Sequence, residues 1–437
     1  MPLKILMLSD MRDSILMNRW PRKRGLDFEL LRYVEGIIED VKRRGDLALI
    51  DLTAKFDGVN LPTEKLRVSR GEMKEAYSRV DEKQISAIKF LKDRVERFEG
   101  EILARIRFEY EDKLGVRIRR EYRPIRSVGC YVPGGGASYP STVVMTTVPA
   151  KVAGVPRIVI CSPPRKDGEV DPLTLVAADI CGVNEFYRVG GAQAIAALAY
   201  GTKSIKPVEK IIGPGNRYVL AAKNIVSRDV PIDHPAGPSE IMVLADETAN
   251  PYYIALDMIS QAEHGVDSIA VLVTLSMQVA EKVLENILHL IRRVPNRGVV
   301  KDALESNSLI LVAESLDEAI NFVNEFAPEH LEVIADGARE ISEKIFSAGM
   351  ILVGSETPVS LSDYCLGTNH ILPTGGFGHA YQSLSVLDFI RCLNIAECTN
   401  NALKELSTCA KVLAESEGLL NHALAIEGRT KDWVEKR

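Results

Sequence analysis

Two α/β halves built on parallel sheets, followed by a helical tail, are what three features of this 437-residue chain predict. From about residue 125 short β-branched apolar runs alternate with Ala-rich stretches of helical period, the pattern of successive βαβ units. Several of these runs end in glycine loops that lead into the next helix, as nucleotide-binding α/β proteins arrange them. Beyond about residue 382 the alternation stops and helical periodicity alone remains.

The elements follow in order. After a basic arm carrying Arg19, Arg22, Lys23 and Arg24, Asp27 stands as an N-cap before Leu30, Leu31, Val34, Ile37, Ile38 and Val41, with Gly45 as the stop. A second, charged helix places Ile85, Ile88, Leu91, Val95 and Phe98 on one side and is expected to end at Gly100. The charge run from Lys92 to Arg120 reads as a solvated face. Strands are expected at Ser127–Val132, Ile158–Cys161, Glu185–Val189 and Lys210–Ile212, with helices at Ser141–Gly154, Leu173–Cys181, Ala192–Tyr200 and Tyr218–Val226. The pattern then repeats in strands Ile241–Ala245, Ile269–Leu275, Leu309–Val312, Leu331–Ala335 and Ile351–Gly354, alternating with helices Pro251–His264, Met277–Val294, Leu316–Phe326 and Ala338–Ala348. The tail holds a helix over Ala402–Ser416 and a last segment that begins near Glu417 and contains His422.

Composition narrows the function. Apolar residues make up 46% and charged residues 26%, the ordinary globular mix, which excludes disorder and coiled coil. A net charge of −6 gives no electrostatic reason to expect nucleic acid. The seven cysteines are scattered without a CxxC pair and read as reduced thiols. Ile5–Leu8 is too short for a secretory apolar segment of about 7–15 residues, and no run approaches the roughly 18 apolar residues of a membrane span. The expectation is a soluble cytoplasmic protein with neither membrane nor nucleic-acid partner.

Several polar groups stand where chemistry would need them. Gly134–Gly136, Gly190–Gly191 and Gly213-Pro214-Gly215-Asn216 follow strands and offer unobstructed backbone amides to phosphate. Gly134-x-Gly136 runs into Tyr139, and Gly213-x-Gly215 into Tyr218, where the dinucleotide fingerprint has its third glycine; tight βα turns explain each loop equally well. Gln261 and His264 leave one helical face and can converge on a ligand or metal, although a histidine near a helix end is more often a cap. Glu329 and His330, in a helix-to-strand junction, can divide general acid and base duties, or simply form a polar turn. Ser362-Asp363-Tyr364 and Gly367-Thr368-Asn369-His370 make a dense polar loop, while Glu417 and His422 stand out in the tail. Gln261, His264, Asp363 and His422 form an N/O donor set suited to Zn²⁺, but spacing alone does not bring them together.

At this point a resemblance enters. Gly45-Asp46-x-Ala48-Leu49, Lys55-Phe56-Asp57-Gly58-Val59, Tyr131-Val132-Pro133-Gly134-Gly135, Gly190-Gly191-Ala192-Gln193, Gly213-Pro214-Gly215-Asn216 and Ala236-Gly237-Pro238-Ser239-Glu240 occur in that order. They are followed by Ser260-Gln261-Ala262-Glu263-His264, Ala327-Pro328-Glu329-His330-Leu331 and Gly367-Thr368-Asn369-His370-x-Leu372-Pro373-Thr374-Gly375. Over nearly its whole length the chain resembles the histidinol dehydrogenases.

The resemblance implies an α/β enzyme with two incomplete Rossmann-like (doubly wound) domains and a helical C-terminal dimerisation tail. It implies a four-electron, NAD-dependent oxidation of L-histidinol to L-histidine through bound L-histidinaldehyde, with one Zn²⁺ per subunit. Gln261, His264, Asp363 and His422 match its zinc ligands, Ser239, His370 and Glu417 its substrate contacts, and Tyr131, Gln193 and Asn216 its NAD contacts. His330 matches the base that takes the alcohol proton, and Glu329 the group that activates water for the aldehyde. An intertwined homodimer is also implied, the tail of one chain carrying Glu417 and His422 to the other's site. The expected division is an arm (1–26), a discontinuous domain with the zinc and catalytic residues (27–124 and 240–381), an NAD domain (125–239) and a tail (382–437). Two positions depart from the family's habit: His234, where it has an apolar residue, and Gly378-His379, where it has Ala-Arg. Two other readings remain open: a related zinc- and NAD-dependent dehydrogenase of another small hydroxylated substrate, such as a sulfonated diol, and a catalytically silent zinc-stabilised binding protein.

Overall fold

The computed structural model describes residues 3–12, 27–234 and 237–430; the basic arm residues Arg19, Arg22, Lys23 and Arg24, and Ala236, lie outside the described residues. In chain order the strands are β1 (Ile5–Met7), β2 (Phe108–Glu111), β3 (Val116–Pro124), β4 (Ser127–Tyr131), β5 (Arg157–Ser162), β6 (Glu185–Arg188), β7 (Lys210–Ile212), β8 (Glu240–Ala245), β9 (Ile269–Thr274), β10 (Leu309–Val312), β11 (His330–Ile334), β12 (Met350–Val353) and β13 (Ile390–Cys398). The described residues divide into two compact units, Met1–Gly100 with Ile125–Phe389, and Glu101–Pro124 with Ile390–Arg437.

The larger unit holds two parallel sheets. One has the order β6-β5-β4-β7, the other β1-β10-β9-β8-β11-β12. In each the chain steps outward on one side and then returns to the other side of its first strand, so the order reverses between β4 and β7 and between β8 and β11. Such a reversal opens a crevice between neighbouring connections, which is where open α/β sheets hold ligands. Side chains alternate across the larger sheet with the period of two that a strand imposes. Ile241, Val243 and Ala245 join a core with helices Pro251–Ala262, Met277–Leu290 and Arg297–Asn307. Met242 and Leu244 face the other way, with Leu331, Val333 and helix Leu316–Phe326. Both faces are therefore buried, the reason these strands read as continuous apolar runs.

Helix Phe28–Arg44 begins at Asp27, whose side chain accepts from the Glu29 N–H, and buries Val34, Ile37, Ile38 and Val41 as its period requires. That face does not pack on the sheet of β8–β12. It joins helix Asp46–Asp57 against the helices flanking β4–β7, in one core with Val159, Ile195 and Ala222.

The smaller unit combines the antiparallel sheet β13-β3-β2 with helices Asn400–Ser416 and Leu420–Thr430. Two expectations are corrected here. The chain beyond 382 is not purely helical, because β13 pairs with β3 along its full length. The second charged helix does not end at Gly100 but continues to Arg105, and β2 and the first half of β3 follow within the run from Lys92 to Arg120. No helix among the described residues is long and apolar enough to cross a membrane.

Candidate active site

A cavity of about 790 Å³ in the larger unit gathers most of the expected site residues. One wall is made by the loops after β4, β5, β6 and β7, with Tyr131, Pro163, Gln193 and Asn216 among its members. These loops are tied together. The Tyr131 hydroxyl accepts the Gly191 N–H at 3.1 Å, and Asn216 caps helix Arg217–Val226 through the Tyr218 and Val219 N–H groups. Gly213 has φ +114°, and a Cβ there would lie 2.1 Å from the Tyr131 carbonyl oxygen, so the turn after β7 admits only glycine. Its N–H is taken by Asp233 (2.8 Å) and its carbonyl by the Lys223 ammonium (2.9 Å), while Lys223 and Asp233 form a buried ion pair. Gln193 is 1% exposed, and neither end of its amide has a partner. A buried amide left open toward a cavity is shaped for a polar ligand.

The opposite wall comes from the amino ends of β8 and β11. Helix Leu316–Phe326 ends at Ala327 in the left-handed conformation (φ 50°), and Pro328 then leads to Glu329 and His330, 7% and 3% exposed. Glu329 Oε2 accepts the Glu240 N–H at 2.7 Å, and His330 Nδ1 lies 3.2 Å from the Glu240 carbonyl. With the Nδ1 proton donated to that carbonyl, Nε2 is the nitrogen left to exchange a proton. Nε2 has no hydrogen-bond partner and stands 3.6 Å from Asp363 Oδ1, while Nδ1 is 3.7 Å from Glu329 Oε2. Burial pushes the Glu329 carboxyl up to about 8, against the pull of His330. Burial also works to lower His330, but the Glu329 and Asp363 carboxylates outweigh it and raise the imidazole to about 9. For Asp363 burial works upward, and the imidazoles of His330, His370 and His264 around it hold it below its usual range. Proton affinity is thus concentrated at Glu329 and His330, beside an ionised Asp363.

A second buried acid pair braces this wall. Glu332 Oε1 accepts the Val359 N–H at 2.7 Å, at the start of the short helix Val359–Tyr364 that carries Asp363. Burial and the neighbouring Asp257 push Glu332 up to about 8, and burial pushes Asp257, on helix Pro251–Ala262, up to about 6. Neither acid was singled out from the sequence, where Glu332 is one polar position inside an apolar strand.

The histidinol dehydrogenase family model matches residues 21–430. The chain belongs to the histidinol dehydrogenase family. Histidinol dehydrogenase from Methanothermobacter thermautotrophicus is 44% identical over 404 residues, 92% of this chain and 94% of that protein. The one from Gloeobacter violaceus is 41% identical over 400 residues, 92% of this chain and 90% of that protein. The crystal structure of histidinol dehydrogenase from Elizabethkingia anophelis has a TM-score of 0.92 and 36% identity, covering 98% of each chain.

Of the residues with matches in the histidinol dehydrogenase motifs, Tyr131, Gln193, Asn216, Ser239, Gln261, His264, Glu329, His330, Asp363 and His370 all line the cavity. Glu417, which ends helix Asn400–Ser416, and His422, in helix Leu420–Thr430, belong to the smaller unit and are exposed. Helix Pro251–Ala262 ends two residues before His264, and Asp363 sits in a short helix, where a loop was expected. Gln261, His264 and Asp363 bring an amide oxygen, an imidazole and a carboxylate to one wall, donors that suit zinc. Among the described residues no three His, Cys, Asp or Glu side chains converge as a metal group, and Gln261 is an amide donor outside those four types. Gln261, His264 and Asp363 line the cavity, and His422 does not. His370 Nδ1 lies 2.9 Å from the Asp363 carbonyl and burial lowers its pKa, which leaves a neutral ring with Nε2 free. The two departures stay away from this chemistry. His234 is buried with Nε2 3.4 Å from the Ile371 carbonyl, His379 meets Ser347 and Glu325, and neither lines the cavity.

Proposed function

We propose that the protein oxidises L-histidinol to L-histidine in two NAD-dependent steps through bound L-histidinaldehyde, the closing steps of histidine biosynthesis, in the cytoplasm. The observation that carries this reading is the Glu329–His330–Asp363 cluster facing, across one cavity, the glycine loops after β4, β6 and β7. Hydride leaves an alcohol carbon as the hydroxyl proton is removed, and the acceptor we assign to that proton is Nε2 of His330 in its neutral form. NAD⁺, when bound, would supply the hydride acceptor. In the second step water adds to the aldehyde and loses its proton to Glu329, whose burial-raised basicity suits the task near neutral pH. The hydrate then gives its hydride to a second NAD⁺.

Gln261, His264 and Asp363 are the donors proposed to hold Zn²⁺ in this chain, and His422 of a second copy is proposed as the fourth. Bound zinc would orient the substrate imidazole and amine and neutralise Asp363, releasing one of the charges that keep a proton on His330. Ser239 and His370 are proposed to contact the substrate, and so is Glu417 of the second copy. Tyr131, Gln193 and Asn216 are proposed to contact NAD. An assay with NAD⁺ and L-histidinol tests the reading. Two NADH per histidine, lost on chelation and restored by zinc, is the expected result; no turnover with metal-replete protein would refute it.

A further inference from the structure

Three carboxylates line the cavity. Glu329 and Asp363 flank His330, and the third is Asp57. Asp57 is the last residue of helix Asp46–Asp57, held there by Gly58 in the left-handed conformation (φ 72°). Its Oδ2 is buried without a hydrogen-bond donor. Burial accordingly pushes its carboxyl up to about 6, with no cation offsetting the cost. Its charge is felt at Tyr131, the last residue of β4. Around it the cavity is lined by Tyr33, Phe56 and Tyr218, the first and last in edge-to-face contact at 6.2 Å. Lys55 lies over the Tyr33 and Phe56 rings (5.9 and 5.2 Å) and Arg217 over Tyr218 (5.1 Å), and the remaining aromatic surface suits a purine.

A dinucleotide fold normally reads the adenosine ribose with an acid at the end of the second strand of the half. Here that strand is β5, which ends in Ser162-Pro163-Pro164 and offers no carboxylate to the cavity. The next acid, Asp167, is committed to Arg165 and to the Glu169 N–H. Strand β5 leaves that position without an acid, and Asp57, with Oδ2 unpartnered, lines the same cavity.

We propose that Asp57 binds the adenosine 2′-hydroxyl of the cofactor and thereby selects NAD⁺ over NADP⁺. The inference rests on the dinucleotide reading of the cavity given above. A ribose hydroxyl supplies the O–H donor that the buried Oδ2 lacks. A 2′-phosphate supplies none and brings negative charge against it, so the same contact that favours one cofactor rejects the other.

The test is calorimetric titration, without substrate, of wild type, Asp57→Ala and Asp57→Asn with NAD⁺, NADP⁺ and the 2′-deoxyadenosine form of NAD⁺. Wild type is expected to bind NAD⁺ at least about tenfold more tightly than NADP⁺ and to lose a similar factor on removal of the 2′-hydroxyl. In Asp57→Ala both factors should shrink to about twofold or less, with zinc content and the KM for L-histidinol unchanged. Asp57→Asn, which keeps an acceptor but not the charge, should fall between for NADP⁺. If Asp57→Ala melts like wild type and keeps the full preference, or loses NAD⁺ and NADP⁺ equally, the assignment of Asp57 is overturned. Wild type that binds no dinucleotide at all would instead bring down the functional reading, and this inference with it.

Discussion

His330 uses its two nitrogens differently: Nδ1 is held by the Glu240 carbonyl, and Nε2 faces the cavity. Replacing His330 by Asn should therefore reduce alcohol oxidation by about 10²–10⁴-fold, measured with L-histidinol, and affect oxidation of supplied histidinaldehyde less. Glu329→Gln should show the reverse; a Gln variant that converts the aldehyde at the normal rate would contradict the division of labour. Behind them, the Glu332–Asp257 pair sets a pH dependence of stability. Glu332 is raised from 4.5 to about 8 in the folded chain, so between those values the folded state holds a proton that the unfolded state has released, and stability falls as pH rises. Glu332→Gln keeps an acceptor for the Val359 N–H and a donor for Asp257 without the titration. Its melting temperature should decline less than that of wild type, by a few degrees, between roughly pH 5 and pH 9. The acid–imidazole pair was legible in the sequence because Glu329 and His330 are adjacent. Glu332 and Asp257 were not, since 75 residues of chain separate two acids that meet only through the fold.

At the scale of elements, the turn after β7 depends on a buried ion pair rather than on glycine alone. Lys223→Met strands Asp233 in a dry site, and urea denaturation should show a loss of about 3–5 kcal/mol, partly recovered when Asp233→Asn is added. Weaker dinucleotide binding should accompany it, with zinc content unchanged. Strands β4 to β12 were readable because each is a short apolar run covered on both faces. Strands β2, β3 and β13 were not. All of β2 is exposed, and β3 presents Arg117, Arg119 and Arg123 to acids on neighbouring residues and strands, so their stabilising pairs look like a solvated charge run in one dimension. The direction of the site was hidden too. Strand order suggests carboxyl ends for both sheets, yet β8 and β11 contribute their amino ends.

At the scale of the whole molecule, helices Asn400–Ser416 and Leu420–Thr430 bury only Ala402, Ala414 and Ala423 and leave Val412, Leu413, Leu420 and Leu424 exposed. Apolar surface of this extent fits the proposed homodimer, in which Glu417 and His422 serve a second copy. Leu413→Glu combined with Leu420→Glu should sediment as a monomer and lose zinc; a dimer with full metal content would count against the shared site. The two walls of the cavity also have a kinetic meaning. Glycine loops hang from one sheet and acid, imidazole and amide groups from the other, so each wall is anchored in a separate framework. On the proposed chemistry the spent coenzyme can leave by one door and a fresh one enter while the half-oxidised aldehyde stays gripped on the far side, and a labile molecule never has to travel between two enzymes.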